Sequence, residues 1–184
     1  MRAEKYYIWG RNYASQANYT KAIQSYEKTI EMNPNHFQAY TNMGLTYDIQ
    51  ENYTKAIQCY EKAIEIAPDE VLAYSNMGVA YNKQGNYTKA IQLYEKAIEI
   101  DPDDAHSYYN LGVFYDEQDN FNKAIQLYEK AIELNPNHVS AHGNLGFAYY
   151  NIGDTVQQIT NYKKAARLGH KKVQRWLREN GFDW

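Results

Sequence analysis

The sequence predicts an all-α fold, an α-solenoid in which five helical hairpins follow one another and a last helix caps the array. Three observations support this prediction. All four prolines, Pro34, Pro68, Pro102 and Pro136, are separated by a constant step of 34 residues. A repeat of 34 residues is typical of stacked arrays. Large apolar residues in each period follow the spacing of one helix face. Small residues recur at fixed places between them.

The prolines divide the chain into units of residues 3–36, 37–70, 71–104, 105–138 and 139–172, and residues 173–184 remain as a capping helix. No linker separates the units. We therefore predict one domain over residues 1–184.

The third unit shows how each hairpin is expected to fold. Gly85 can adopt a left-handed conformation at the turn, and Asn86 is suited to cap the helix that follows it. That second helix is predicted over residues 87–100 and ends before Pro102, because the proline ring cannot continue the hydrogen-bond ladder. The unit is thus two antiparallel helices joined by a short turn.

Small residues recur where the two helices of a hairpin cross. The first helices carry Gly10, Gly44, Gly78, Gly112 and Gly146, and the second helices carry Ala22, Ala56, Ala90 and Ala124. Glycine in a helix costs up to about 1 kcal/mol, so its recurrence needs a packing reason. We expect that reason to be a close approach of the two backbones. A further small position is expected to contact the next hairpin: Thr29, Ala63, Ala97, Ala131 and Ala165.

The repeated residues resemble the tetratricopeptide repeat family. The second unit carries its signature as Tyr40, Met43, Gly44, Tyr47, Ala56, Tyr60, Ala63 and Pro68, with copies one period on. The resemblance covers about 170 of the 184 residues. It implies a right-handed superhelix of five antiparallel hairpins plus a capping helix, with the first helices lining a concave groove.

The fifth unit departs from this pattern. Gln158 replaces an alanine, His142 an aromatic residue and His170 the proline. A bulky amide at a close-packed position is expected to strain the hairpin or push it apart, at a cost on the order of 1 to 3 kcal/mol. Terminal repeats commonly differ in this way, because they face a different neighbour.

The two ends of the array are expected to differ. At the C-terminal end, Val173 and Leu177 would cover the last hairpin, and Phe182 and Trp184 would fold back on the cap. No equivalent helix precedes the first unit, where Trp9 follows soon after the start. An exposed apolar helix favours association with another surface.

The resemblance implies that inward-facing positions of the first helices bind a peptide or helix of a partner protein. The candidate groove residues are Tyr7, Arg11, Asn42, Leu45, Asp48, Asn76, Val79, Asn82, Lys83, His106, Tyr109, Asn110, Val113, Asp116, Asn144, Phe147 and Tyr150, with Gln38, Thr41, Leu72 and Ser75 beside them. The groove is mixed apolar and acidic, which suits a segment with apolar and some basic side chains. The basic clamp by which some members of the family hold a terminal carboxylate is missing.

Four asparagines, Asn42, Asn76, Asn110 and Asn144, recur at one inward-facing position. An amide both donates and accepts hydrogen bonds, so a row of amides could hold a peptide backbone regardless of its sequence. The alternative is that asparagine ties one helix to its neighbour. Both readings stay open at this point.

The charge is uneven along the chain. Residues 1–162 hold 12 basic and 20 acidic side chains, whereas residues 163–184 hold 7 basic and 2 acidic ones. The basic end could contact phosphate or an anionic surface, but a charged cap face would have the same composition. Since the body is acidic and no base-reading module is present, nucleic acid is not an expected partner.

No catalytic or cofactor site is predicted. The sequence has no phosphate-binding loop and no nucleophile with an orienting base, so we expect a protein-interaction scaffold and not an enzyme. His138 and His142 lie four residues apart without a third ligand at zinc-like spacing, and packing roles are favoured over metal binding. Association of copies through the first unit is the alternative function.

The single cysteine, Cys59, cannot form an internal disulfide, so the fold does not require an oxidising compartment. No apolar run approaches the length that crosses a bilayer, and the first residues lack a signal-peptide layout. A cytoplasmic location is the default expectation, although a signal sequence removed earlier would leave no trace.

Overall fold

A computed structural model describes residues 2–184, which form eleven α-helices and no β-strand. The helices are α1 (Arg2–Ser15), α2 (Tyr19–Met32), α3 (Phe37–Ile49), α4 (Tyr53–Ile66), α5 (Val71–Lys83), α6 (Tyr87–Ile100), α7 (Ala105–Glu117), α8 (Phe121–Leu134), α9 (Val139–Asn151), α10 (Thr155–Arg167) and α11 (Lys171–Glu179). The second helix of the third unit has the predicted bounds, residues 87–100.

The repeats group into two larger compact units, which we call the first unit and the second unit from here on. The first ends at Ile100 and holds three hairpins, and the second spans Asp101–Trp184 and holds two hairpins and the capping helix. In the first unit α1–α2, α3–α4 and α5–α6 pack as hairpins, and α3 also contacts both α1 and α5. In the second unit α7–α8 and α9–α10 pack in the same way, α9 contacts α7, and α11 packs on α10. The first helices of successive hairpins therefore lie side by side within each unit.

The hairpin turns share one conformation. Asn18, Asn52, Asn86 and Asn120 each accept a hydrogen bond from the backbone N–H three residues later, at 3.3 Å. The residue before each of them is left-handed: Ala17 (φ 56°), Glu51 (φ 60°), Gly85 (φ 76°) and Asp119 (φ 57°). The predicted roles of Gly85 and Asn86 are confirmed, and three of these four turns hold a side chain where glycine is usually preferred.

The helix glycines make room for a tyrosine ring. A methyl group on Gly44 would lie 2.6 Å from Cε1 of Tyr60. The corresponding distances are 2.4 Å for Gly10 and Tyr26, and 2.7 Å for Gly78 and Tyr94. In the second unit they are 2.7 Å for Gly112 and Tyr128, and 2.4 Å for Gly146 and Cδ1 of Tyr162. The expected cause, an approach of backbone to backbone, is therefore not the main one, because each glycine first accommodates the ring. Only a Cβ on Gly146 would also approach backbone, at 3.1 Å from the carbonyl oxygen of Gln158.

The core of each hairpin consists of this ring and small side chains. Tyr26, Tyr60, Tyr94 and Tyr128 are almost fully buried. The recurring small residues are completely buried: Ala22, Ala56, Ala90 and Ala124, and at the other position Thr29, Ala63, Ala97, Ala131 and Ala165. Large and small residues thus alternate through a thin core, as close packing requires.

The fifth hairpin accommodates its unusual residues without separating. Gln158 is buried, and the approach of Gly146 to Tyr162 is as close as in the first hairpin. The expected displacement is absent. His142 is also buried, with Nε2 3.1 Å from the carbonyl oxygen of Pro136 and Nδ1 3.4 Å from Oδ1 of Asn161.

The capping helix begins two residues earlier than predicted, at Lys171, because His170 caps it by accepting the N–H of Val173 through Nδ1 at 3.3 Å. Val173 and Leu177 are buried against the last hairpin. The tail folds back as expected, since the ring of Phe182 stacks on Trp176 with centroids 6.2 Å apart. None of the helices in residues 2–184 has the length and apolarity needed to span a bilayer.

We expect Gly44→Ala to lower the free energy of unfolding by about 2 kcal/mol, because the new methyl group overlaps the ring of Tyr60. Urea denaturation followed by circular dichroism measures the change. Gln58→Ala, at an exposed position on α4 of the same hairpin, is the control and should change stability by less than about 0.5 kcal/mol. If Gly44→Ala left the free energy of unfolding unchanged, the ring of Tyr60 would have to move aside without cost.

Candidate functional site

All predicted groove residues lie on the first helices of the hairpins. They are Tyr7 and Arg11 on α1; Asn42, Leu45 and Asp48 on α3; Asn76, Val79, Asn82 and Lys83 on α5; His106, Tyr109, Asn110, Val113 and Asp116 on α7; and Asn144, Phe147 and Tyr150 on α9. Asn82 is almost fully buried, so it presents less surface than a contact residue needs. The others are half-buried or exposed.

In the first unit, side chains from three helices line one pocket of about 320 Å³. Its residues are Tyr7, Arg11, Gln38, Thr41, Asn42, Glu70 and Leu72. We call it the Glu70 pocket. It brings together three of the predicted groove residues, Tyr7, Arg11 and Asn42, and adds Glu70, which the sequence reading did not include.

Tyr7 is held by a histidine and an asparagine from the next hairpin. The rings of Tyr7 and His36 lie 4.6 Å apart between centroids, and Nδ2 of Asn42 donates to the hydroxyl of Tyr7 at 2.9 Å. The ring of Tyr7 also packs on Tyr26, at 6.2 Å. This cluster joins α1 and α3 through polar as well as apolar contacts.

The second unit repeats the same cluster. The rings of Tyr109 and His138 lie 4.7 Å apart, and Nδ2 of Asn144 lies 3.4 Å from the hydroxyls of both Tyr109 and Tyr128. Asn42 and Asn144 thus each bond to a tyrosine of the preceding hairpin, which is the helix-tying role left open above. Asn76 and Asn110 are half-buried on α5 and α7.

The sequence favours packing roles for the histidines, but it does not predict that His36 and His138 pack on the tyrosines of these clusters. His36 and His138 precede α3 and α9, and each follows its tyrosine by the same number of residues. That shared spacing was the signal that could have identified them. His138 accepts the N–H of Ala141 through Nδ1 at 3.2 Å, and burial, followed by the neighbouring His106, lowers the pKa of His138.

Both histidines, His36 and His138, pack on a tyrosine, and His138 alone also caps its helix. The rings of His106 and His138 lie 5.3 Å apart. Across the part of the chain that the structure describes, residues 2–184, no group of three or more His, Cys, Asp or Glu side chains is arranged to hold a metal ion.

Two groove carboxylates are buried in part and differ in their surroundings. Oδ1 of Asp48 and Oδ1 of Asp116 are both buried and have no hydrogen-bond partner within residues 2–184. Burial raises the pKa of Asp48, and the positive charge of Lys83 opposes this rise. Burial, together with the negative charges of Glu117 and Asp119, raises the pKa of Asp116 to about 6. Asp116 therefore carries its charge at neutral pH at a cost in free energy.

Large apolar side chains at predicted groove positions of the first helices are exposed. Leu45 and Leu72 on the first unit are 40% and 50% exposed, and Phe147 and Tyr150 on the second are 46% and 60% exposed. Exposed apolar residues together with a carboxylate such as Asp116, whose pKa no cation lowers, suit a partner with apolar and basic groups.

Models of known protein families match most of the chain. Family models described as tetratricopeptide repeat match residues 69–137 and 103–169, and a further one matches residues 37–70. A model described as TPR repeat matches residues 10–48. Comparison with curated proteins finds no match.

Solved structures of similar fold are numerous. A crystal structure of MamA protein is 27% identical, with a TM-score of 0.67, and the alignment covers 94% of each chain. TTC0263, a thermophilic TPR protein of Thermus thermophilus, is 17% identical with a TM-score of 0.83 and 97% of each chain covered. The APC/C hetero-tetramer Cut9-Hcn1 matches 91% of this chain and 33% of its own, at 20% identity and a TM-score of 0.82. The predicted fold class, an all-α solenoid, is confirmed.

We expect Asp116→Asn to stabilise the protein by about 1 kcal/mol at neutral pH, a value reduced for the partial exposure of the group. The folded state raises the pKa of Asp116, so it favours the protonated form. The stability that this group contributes is present below about pH 4 and is lost as the pH rises through about 6.

Urea denaturation of both chains at about pH 4 and about pH 7 tests this, because the gain should vanish at the lower pH. Asp48→Asn is the matched variant. Its gain in stability at neutral pH should be smaller, because the positive charge of Lys83 already offsets the negative charge of Asp48. A gain of equal size at both pH values would contradict the assignment.

Proposed function

Because this chain belongs to the tetratricopeptide repeat family, we propose that it is a non-catalytic scaffold that binds a segment of a partner protein along the first helices of its hairpins. Proteins of this family are in general protein-interaction scaffolds. The proposed ligand is an extended or helical segment rich in apolar and basic side chains. A cytoplasmic location is part of the proposal.

The observation that carries the proposal is the character of the first helices. Leu45, Leu72, Phe147 and Tyr150 remain 40 to 60% exposed at predicted groove positions. Asp116, at another predicted groove position, carries a partly buried carboxylate for which no cation lowers the pKa. Binding of an apolar and basic segment would remove apolar surface from water and pair a desolvated carboxylate with a cation. Both changes lower the free energy of the complex.

The structural neighbours support a protein partner in general terms. The Cut9-Hcn1 structure is a hetero-tetramer, and its fold matches this chain over 91% of the residues. A fold of this kind therefore occurs within assemblies of different chains.

Two glutamates placed on the groove should abolish binding. We expect Leu45→Glu combined with Phe147→Glu to weaken the affinity for groove-binding peptides at least about tenfold, because charge replaces apolar contact area. The peptides are selected on the wild-type chain from a display library of random sequences of about 12 residues. Isothermal titration calorimetry measures their affinity.

The matched control carries Met32→Glu and Ile152→Glu, two side chains of similar exposure, 48% and 45%, that lie outside the predicted groove. It should bind within about twofold of wild type. Equal loss in both double variants, or loss in neither, would defeat the groove proposal.

Association of copies through the first hairpin is a second candidate function, favoured by a specific patch. Ile8 and Trp9 are 47% and 42% exposed on α1 and, with Glu4 and Lys5, line a hollow of about 500 Å³. Aromatic and aliphatic side chains of this size are typical of association surfaces.

If this second function holds, the apparent mass in light scattering should rise with concentration for the wild type and remain that of a monomer for Ile8→Glu combined with Trp9→Ala. Val156→Glu, which alters a side chain that is 75% exposed on α10, is the control for loss of exposed apolar surface elsewhere. A wild-type chain that stays monomeric over about 1 to 500 μM would remove the candidate.

A further inference from the structure

Glu70 is the residue before α5, and it differs from the residues that precede α7, α9 and α11. His36, before α3, also makes no cap bond through its side chain. Asp104 caps α7 by accepting the N–H of Ser107 at 2.8 Å. His138 and His170 cap α9 and α11 through Nδ1. The side chain of Glu70 makes no such bond to α5, and burial, followed by the nearby Asp69, raises the pKa of Glu70.

The Glu70 pocket exists because two residues of the aromatic cluster are replaced. Around Tyr7 and Tyr109, the tyrosine ring fills the space beside the histidine that precedes the next first helix. In the second hairpin Thr41 occupies the place of the tyrosine, and Glu70 occupies the place of the histidine. The space that a ring fills in the two clusters is left as a hollow of about 320 Å³ with a carboxylate on its wall.

Two of the hydrogen-bond donors around this hollow are occupied within the chain, and the exposed side chains of Arg11 and Gln38 also line it. The hydroxyl of Thr41 donates to the carbonyl oxygen of Phe37 at 3.2 Å, and Nδ2 of Asn42 donates to Tyr7. The guanidinium of Arg11 lies 5.9 Å from the ring of Tyr7 and, within residues 2–184, forms no ion pair with Glu70. The pocket therefore offers a carboxylate acceptor beside Leu72 and Thr41, which can contact an aliphatic stem.

We propose that the Glu70 pocket binds one lysine or arginine side chain of the partner segment, with the cation on the Glu70 carboxylate and the methylene groups against Leu72 and Thr41. This inference rests on the proposed function and adds a sequence requirement to it. A volume of about 320 Å³ accommodates a single long side chain. The pocket wall holds one basic and one acidic side chain, Arg11 and Glu70, which form no ion pair with each other within residues 2–184, so the carboxylate can pair with a cation of the ligand. An ion pair formed in a partly desolvated site is stronger than one on the open surface.

The test uses the peptides selected on the wild-type chain. We expect the selected sequences to share a lysine or arginine at one position, and its replacement by norleucine to weaken binding about tenfold. Glu70→Gln should cause a similar loss with the parent peptide. Asp69→Asn removes the same charge at the exposed neighbouring position and should stay within about twofold of wild type.

The decisive measurement is the double-mutant cycle between Glu70→Gln and the norleucine peptide. If the two groups touch, the norleucine peptide should bind the wild-type chain and Glu70→Gln with equal affinity, so the two losses are not additive. Additive losses, or selected peptides without a shared basic residue, would overturn the inference.

A second variant fills the pocket instead of removing the charge. Thr41→Tyr with Glu70→His restores the residue pair found at Tyr7 and His36, so the chain should fold, as circular dichroism can verify. It should lose all preference for the basic peptide over its norleucine form. A retained preference would overturn the inference.

The two proposals fail in different ways. If the Leu45 and Phe147 double variant loses binding while the cycle shows no coupling at Glu70, the groove function stands and the basic pocket is wrong. Peptides that bind the double variant as well as the wild type overturn both.

Discussion

The packing of one tyrosine ring on one glycine is the contact on which every hairpin depends. The ring lies so close to the first helix that no Cβ fits opposite it, and the ring itself is almost fully buried in the first four hairpins. Because this contact sets the distance between the helices, it also sets where the outer faces of the first helices lie. The hydroxyl of Tyr60 is buried without a hydrogen-bond partner in residues 2–184, so the ring is retained for its shape and area, not for that hydroxyl.

Much of the fold could be predicted because the repeat amplifies weak local signals. The bounds of α6 and the capping role of Asn86 follow from a proline and an asparagine that recur in register. The reason for the glycines did not follow, because periodicity shows that a small residue is required without showing what lies opposite. The expected effect of Gln158, a displacement of the fifth hairpin, was wrong for a different reason. Gln158 is buried while Gly146 still approaches Tyr162 as closely as in the first hairpin, so its larger volume does not separate the two helices.

The candidate site was predicted less completely than the fold. Positions on the first helices could be inferred by family resemblance, but Asn42 and Asn144 use their amide nitrogens on tyrosines of the same chain. Glu70 was missed because it belongs to a loop position outside the helical pattern. Its significance appears only from comparison with His36 and His138, whose rings pack on tyrosine. A three-dimensional contact between hairpins cannot be read from one period alone.

The turns imply that nearly identical hairpins are not equally stable. Ala17, Glu51 and Asp119 hold left-handed backbone angles that Gly85 and Gly153 adopt without steric cost. Helix packing therefore imposes left-handed backbone angles on residues that disfavour them. In a stack where each repeat is stabilised mainly by its neighbours, such differences determine which hairpins fray first, and so divide a regular array into more and less persistent segments.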